Sequence, residues 1–379
     1  MEPILLVGAS VRAAAFSALR SGLQPWAIDL FADSDLCTIC PAQAVSPNGY
    51  PDRLPALARD APPGPWMYTG ALENRPDIIE QISQDRPLWG NNAACLRRVR
   101  DPFALAAAFL AAGVPHPAVC RSGQEPRGNW LIKPLASGGG NGIRFKRSTG
   151  VRNLARRVYL QEYVVGLPAA GVFVAGREGC RLLGVTWQLV GETWLHAAPF
   201  RYAGSIGPLP LTITGRTAWE RLGLVVTEFA GLRGLFGIDA IIRDGVPWPV
   251  EVNPRYTASV EVLEYATGLH AVEVHRQEFL PANRETQAVI VPARRRVVGK
   301  AVWFAPRPLT VPNNGPWDDV LRLPPALDEP PVFADIPAVR QRIAAGQPAL
   351  TAFATGATFT DCESRLRNMA RELDRLLLE

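Results

Sequence analysis

The sequence predicts an α/β protein built of α+β lobes, and three observations carry that prediction. The chain opens on a β–loop–α–β unit, and a glycine-rich stretch follows a short apolar strand near residue 133. Near residue 240 an apolar strand pair carries acidic and amide side chains in alternation. A chain of 379 residues calls for two or three lobes with separate cores.

The elements follow in order. Residues 4–8, ILLVG, form a buried strand, and ASVRAAAFSALRSGL then turns to a helical period that stops at Gly22. PWAIDLF is a second strand ending among Asp29, Asp33 and Asp35. WMYTGAL (66–72) is a later strand of the same lobe, with a loop at Glu73-Asn74, and PLWGNN (87–92) closes it. The first turn reads GASVRA and lacks GxGxxG, so this half-sheet does not promise a dinucleotide. DPFALAAAFLAAGV is a helix with Asp101 as N-cap, Pro102 in the first turn and Gly113 as the stop. From 118 to 190 the runs WLIKP, GIRF, YLQEYVVG, GVFVAG and RLLGVTWQLVG alternate with glycine and predict a small α/β lid. LHAAPFRYAGSIGPLPL reads as a long connection. The helix TAWERLGLVVTEFAGLRG leads into the strand pair LFGIDAIIRDGVPWPVEVNPRY. A tail domain ends in a helix opened by a capping box of Thr360 and Glu363.

Composition narrows the function classes. Apolar residues at 47% and charged residues at 20% suit a globular enzyme. The net charge of +5 comes from dispersed arginines, and the clump Arg294-Arg295-Arg296 is short and free of interleaved aromatics. That argues against nucleic acid as a partner, while an anionic small substrate suits a mild positive excess. Cys37 and Cys40 form a CxxC with no second pair, and the four histidines are not spaced as ligands, so no structural zinc is expected. No apolar run approaches the roughly 20 residues of a membrane span, and MEPILLVGAS lacks a signal pattern. The expectation is a cytoplasmic protein without a membrane partner, and a homodimer is one assembly open to it.

The chemistry rests on two stretches. Lys133 to Arg144 reads KPLASGGGNGIR, and its glycines would let backbone amides approach phosphate oxygens beside a lysine charge. Taken alone it reads more simply as a turn in a mobile hairpin, and it is not a Walker loop, because no GK[ST] follows. VEVNPR is more specific. On an extended strand Glu251, Asn253 and Arg255 share a face, giving hard oxygen donors for Mg²⁺ beside a cation that can hold a phosphoryl group. Asp239 on the preceding strand can face Glu251, a pair that would repel without a cation between them; salt bridges to arginine on an exposed face are the plainer alternative. A two-residue loop at Asp244-Gly245 would pair Arg243 with Val246 and set Asp239 opposite Val250. The register expected instead is a three-residue loop or a bulge, pairing Arg243 with Pro247 and setting Asp239 against Glu251.

Lys133 with SGGGNGIR, then QEYVVG, GIDAII and EVNPR, resembles the ATP-grasp superfamily, most closely its biotin-carboxylase-like, carboligase branch. The resemblance covers about residues 93–270. It implies a Rossmann-like pre-ATP-grasp domain (1–92), an ATP-grasp domain (93–283, lid about 119–190) and a C-terminal β-rich domain (284–379). It implies ATP and Mg²⁺ as cofactors: Lys133 on the phosphates, Ser137, Gly138, Gly139, Gly140 and Gly142 covering them, and Gln161, Glu162 and Val164 at adenine. Asp239, Glu251 and Asn253 would bind Mg²⁺, with Arg255 and Lys133 as the catalytic pair. Carboxylases of the branch keep a glutamine and a glutamate where this chain has Thr257 and Ser259, which weakens a bicarbonate reading. The usual earlier phosphate lysine is missing, with Arg98 or Arg100 as a substitute, and Val165 and Pro168 stand where ribose-binding acids often occur.

On the substrate side, Arg201, Tyr202, Gly204 and Ser205 sit where an acceptor should approach, though the segment is equally a proline-held connector. Ser10 and Arg12 lie at a helix N-terminus that favours anions, though an N-cap and a solvated arginine account for them more simply. The expected activity is an ADP-forming carboxylate–amine ligase acting through an acyl phosphate. The resemblance points to amino-acid-type ligases of one-carbon cofactor biosynthesis (methanopterin and methylofuran kinds). A carboxylase using carboxyphosphate and a non-catalytic nucleotide-binding module are the alternatives.

Overall fold

Strands Glu2–Gly8, Leu23–Asp29, Ala42–Ala44 and Trp66–Tyr68 form a parallel four-stranded sheet, in which Glu2–Gly8 is flanked by Leu23–Asp29 and Trp66–Tyr68. Parallel strands are buried on both faces, which is why ILLVG reads as an unbroken apolar run. The computed structural model describes residues 1–121, 123, 127–146, 157–281 and 296–379. Arg294, Arg295 and the expected junction at 283/284 lie outside the described residues.

Two further sheets build the site. A small antiparallel sheet joins Val119–Arg121, Val158–Glu162, Trp130–Pro134 and Arg144–Phe145, in that order. A large antiparallel sheet runs Val246–Asn253, Gly234–Arg243, Leu167–Gly176, Gly179–Val190, Tyr202–Gly207, Val297–Phe304, Pro348–Gly356, Phe333–Ala334. Pro247 and Pro249 fit the first of these because it is an edge strand, where a missing N–H breaks no ladder on the open side.

Several sequence expectations change. Leu167–Gly176 and Gly179–Val190, expected in the lid, belong to the large sheet; the first is seated against the helix Ile213–Ala230, where Trp219 packs on Phe173 and a Cβ on Gly171 would meet the Trp219 ring. Tyr202–Gly207, read as connector, is a strand paired on both sides, and at Gly204 (φ 147°) a Cβ would collide with the Lys300 carbonyl. The tail strands Val297–Phe304 and Pro348–Gly356 extend the same sheet, so its hydrogen bonding runs on from residue 207 into the tail. The last helix, Phe359–Leu378, is capped by Thr358, whose hydroxyl accepts from Asp361 N; Glu363 pairs with Arg367 instead of closing a capping box. Asp101 caps its helix as the sequence indicates, accepting from the Phe103 and Ala104 amides.

The Asp244-Gly245 turn is a two-residue hairpin loop, with both residues at positive φ (51° and 78°) and Arg243 paired with Val246. The expected Arg243–Pro247 pairing is therefore wrong. Asp239 nonetheless lies across from Glu251, because a bulge further along sets Ala240 opposite Pro249 and leaves Val250 extra.

Candidate active site

Between the small and large sheets lies a cavity of about 630 Å³, a size suited to a nucleotide with part of a second substrate. Its apolar end is formed by Leu131, Ile143, Phe145, Tyr163, Val164 and Ile241, and its polar end by Lys133, Gln188, Asp239, Glu251, Asn253 and Arg255. Phe145 meets Tyr163 and Phe200 edge-on, with ring centroids 5.0 and 5.3 Å away.

Lys133 ends its strand buried, and its Nζ donates to Gln161 Oε1 and to the Val250 carbonyl, both at 3.0 Å. That carbonyl belongs to the bulged residue, so one irregularity aligns Asp239 with Glu251 and also supplies an acceptor for Lys133. Gln161, expected at adenine, is turned to Lys133, and the Glu162 carboxylate accepts from Ala118 N. Both still line the cavity, as does Val164, where the strand ladder has ended.

The loop after Lys133 is docked. Gly139, Gly140 and Gly142 have φ of 60°, 80° and 75°, values that favour glycine. The Gly139 carbonyl accepts from Tyr202 N at 3.1 Å, and Gly140 lies so close to the Phe200 carbonyl that a Cβ would sit 1.8 Å from its oxygen. Arg201 Nη1 donates to Asn141 Oδ1 at 2.7 Å. The Ser137 carbonyl accepts from Arg100 Nη2 and from Asn74 Nδ2 of the first lobe, whereas Gly138 has open space around it.

Asp239 Oδ1 accepts from Gln188 Nε2 at 2.9 Å and Oδ2 from Asn253 Nδ2 at 3.0 Å. Burial, and then the charge of Glu251, push the Asp239 carboxyl up to about 7. Glu251 pairs with Arg100 Nη1 at 2.6 Å. Of the two arginines considered for the missing lysine, Arg100 therefore reaches the site, while Arg98 is exposed. Two facing carboxylates and a carboxamide are a fitting donor set for Mg²⁺, and their mutual repulsion is what a cation would relieve. Among the described residues no three His, Cys, Asp or Glu side chains cluster as a metal site, so the third donor would be the Asn253 amide oxygen. That oxygen now accepts from Arg255 Nη2 at 3.3 Å, and the same nitrogen donates to Glu73 at 2.7 Å.

The other substrate candidates divide. Tyr202, Thr257 and Ser259 line the cavity, and the Ser259 hydroxyl is held by Thr186 (2.9 Å) and Ser205 (3.2 Å). Ser205 is buried behind that wall, and Arg201 is committed to the glycine loop. Ser10 and Arg12 are not brought to the cavity. The amide at that helix start bonds the Asp29 carboxylate, and Arg12 is fully buried against Asp35, Glu261 and Asp335, so the anion expected there is already supplied by the protein. Sequence reading missed Gln188 and Glu73. Gln188 sits two residues from the end of a strand, and Glu73 in a loop of another lobe, with no local pattern tying either to the site.

Residues 99–259 match the family model of an ATP-grasp domain. Comparison with curated sequences found no significant match. Among solved structures, an L-amino acid ligase from Bacillus licheniformis superposes with a TM-score of 0.72 at 14% identity, covering 100% of this chain and 98% of that one. The biotin carboxylase domain of Hydrogenobacter thermophilus 2-oxoglutarate carboxylase, solved with MgADP, ADP and bicarbonate, gives 0.70 at 14% identity, with 96% and 88% covered. N5-carboxyaminoimidazole ribonucleotide synthetase from Thermus thermophilus gives 0.66 at 14%, with 99% of each covered. With the two sheets enclosing one cavity and the family match spanning Lys133 to Ser259, residues 99–259 are similar to an ATP-grasp domain, and the chain shares its fold with these solved enzymes.

Proposed function

We propose that the protein is an ATP- and Mg²⁺-dependent ligase that phosphorylates a carboxylate on the γ-phosphate of ATP and joins the acyl phosphate to an amine. The observation that carries this reading is the convergence on one cavity of Lys133, the facing pair Asp239 and Glu251, and Arg255, beneath a docked glycine loop. Asp239, Glu251 and Asn253 would hold the metal, which when bound supplies charge neutralisation on the phosphate oxygens. Lys133 and Arg100 place positive charge at the phosphate end, and the apolar end takes the base. The substrate carboxylate attacks the γ-phosphorus and ADP leaves; the amine then attacks the acyl carbon and phosphate leaves. Arg255 stabilises the charge that develops on the transferring group. The docked loop excludes water that would otherwise hydrolyse the intermediate.

Thr257 and Ser259 place neutral hydroxyls beyond Arg255, and they support an organic carboxylate over bicarbonate as the phosphoryl acceptor. The test is a screen for ADP release with amino acids and with pterin- and furan-type acids, each with and without an amine, beside a bicarbonate arm. Release that depends on one carboxylate and is unmoved by bicarbonate supports the ligase. Bicarbonate-stimulated ADP release supports a carboxylase instead. Glu251→Gln should keep the fold and lose Mg²⁺-supported turnover.

A further inference from the structure

The turn Leu72–Asn74 of the first lobe, entered through Ala71 at a φ of 78°, brings a carboxylate into this site from outside the ATP-grasp match. Glu73 is 1% exposed, and its Oε1 accepts from Arg255 Nη2 at 2.7 Å. We infer that Glu73 is a positioning residue for phosphoryl transfer: it holds the Arg255 guanidinium away from the candidate metal carboxylates and aimed at the cavity. The inference rests on the ligase reading above.

Three observations support it. First, Arg255 is held from several sides. Nη2 bonds Glu73 and Asn253 Oδ1, Nη1 bonds the Tyr256 carbonyl, and Gly70 backs the group, with a Cβ there falling 3.6 Å from the guanidinium carbon. Second, the other acids whose charge acts on Arg255 are Glu251 and Asp239. An arginine released from Glu73 would be drawn onto that pair and would compete with a divalent cation for it. Third, Glu73 is a committed anion. Burial pushes its carboxyl up, but the charge and hydrogen bond of Arg255 more than offset this and hold it below the usual range. Its second oxygen, Oε2, is buried with no hydrogen-bond partner among the described residues, and so is Arg255 Nε. A buried pair with unsatisfied atoms is a poor source of stability, so its place in the fold is better explained by what it does to Arg255. Asn74, the next residue, donates to the Ser137 carbonyl, so the same turn also touches the glycine loop.

The test compares Glu73→Gln with wild type in a Mg²⁺ titration of ADP release and repeats it in an Arg255→Ala background. Displacing a transfer group by about an ångström costs on the order of 10²-fold in kcat, so Glu73→Gln should lose kcat on that scale. It should also need more Mg²⁺ for half-saturation, with the KM for ATP within about threefold of wild type. In the Arg255→Ala background the substitution should have no further effect, because a residue acting through another is silent once that residue is gone. Losses that multiply across the two positions, or an unchanged Mg²⁺ requirement, overturn the inference. Should Glu73→Gln fold poorly, Glu73→Asp keeps the charge while pulling the carboxylate back, and should show the same defects in smaller degree. Arg255 can also be located without turnover. Crystal structures of wild type and variant should show the guanidinium leaving Asn253 for Glu251 or Asp239, and an unmoved guanidinium overturns the inference even where no carboxylate substrate is known. A wild-type enzyme that turns over no carboxylate would count against the ligase reading and leave the positional result standing.

Discussion

The glycine loop should discriminate sharply among its own glycines. At Gly138 nothing lies within 4 Å of an added Cβ, so Gly138→Ala should leave turnover within about twofold. At Gly139 there is also open space, but the φ of 60° costs an alanine about 1–2 kcal/mol. Gly140 combines a φ of 80° with a Cβ that would lie 1.8 Å from the Phe200 oxygen, a backbone atom that no rotamer change can move aside. The loop must therefore lift, losing the Gly139–Tyr202 and Asn141–Arg201 hydrogen bonds at about 1 kcal/mol each. With the backbone term the docked state loses about 3–4 kcal/mol, or at least 10²-fold in its population. Gly140→Ala should accordingly lower kcat by about 10²-fold and raise the share of ATP cleaved without amide formation. The melting temperature should hardly move, because the loop covers a cavity and contributes little to any core. The assay is steady-state ADP release beside amide product for all three variants. Equal turnover in Gly138→Ala and Gly140→Ala would refute the account of loop docking.

Arg100→Met should raise the KM for ATP at least tenfold, because it removes the partner of Glu251 and of the Ser137 carbonyl, while Arg98→Ala should match wild type; equal effects would remove Arg100 from the phosphate end. Asp239, pushed up to about 7 from an ordinary value of 3.8, takes up a proton on folding, so its contribution to stability is full below about 3.8 and lost as pH rises through about 7. In chelator, Asp239→Asn should therefore melt above wild type by a margin that grows from pH 4 to pH 8, and a pH-independent margin would contradict this. His275 is buried neutral between Leu235 N and the Trp89 carbonyl, and burial lowers it to about 4 from 6.5. Its contribution is full above 6.5 and lost as pH falls towards 4, so the melting temperature of His275→Gln relative to wild type should improve across that window. An unchanged difference between pH 7 and pH 4 would rule out this source of acid lability.

The sequence was most legible where chemistry follows a short period. Glu251 and Asn253 share a strand face because of the two-residue repeat; Arg255, expected on the same face, lies in the bend just past the strand end, and the cavity contains all three. The DG turn also follows local rules, and reading it at face value gives the observed hairpin. The bulge at Val250 was legible only as a requirement of the Asp239–Glu251 pairing, and its place beside Pro249 depends on how the edge strand is held by Lys133 and Gln161. The sheet to which Leu167–Gly176 belongs is set by pairing with Gly234–Arg243, about 60 to 75 residues further on, so strand-like composition could not assign it. Arg12 shows the same limit. A helix N-terminus and an arginine suggest an anion site, but three distant carboxylates decide that the arginine is buried. Glu73 gave no signal, since what distinguishes it is the lobe it touches.

The central claim, that a carboxylate is activated on the γ-phosphate, is tested most directly by trapping. Wild-type protein with Mg-ATP, the carboxylate found by screening and hydroxylamine in place of the amine should give a hydroxamate with ADP and phosphate in equal amounts. AMP and pyrophosphate as the stoichiometric products would place attack at the α-phosphate and contradict the account.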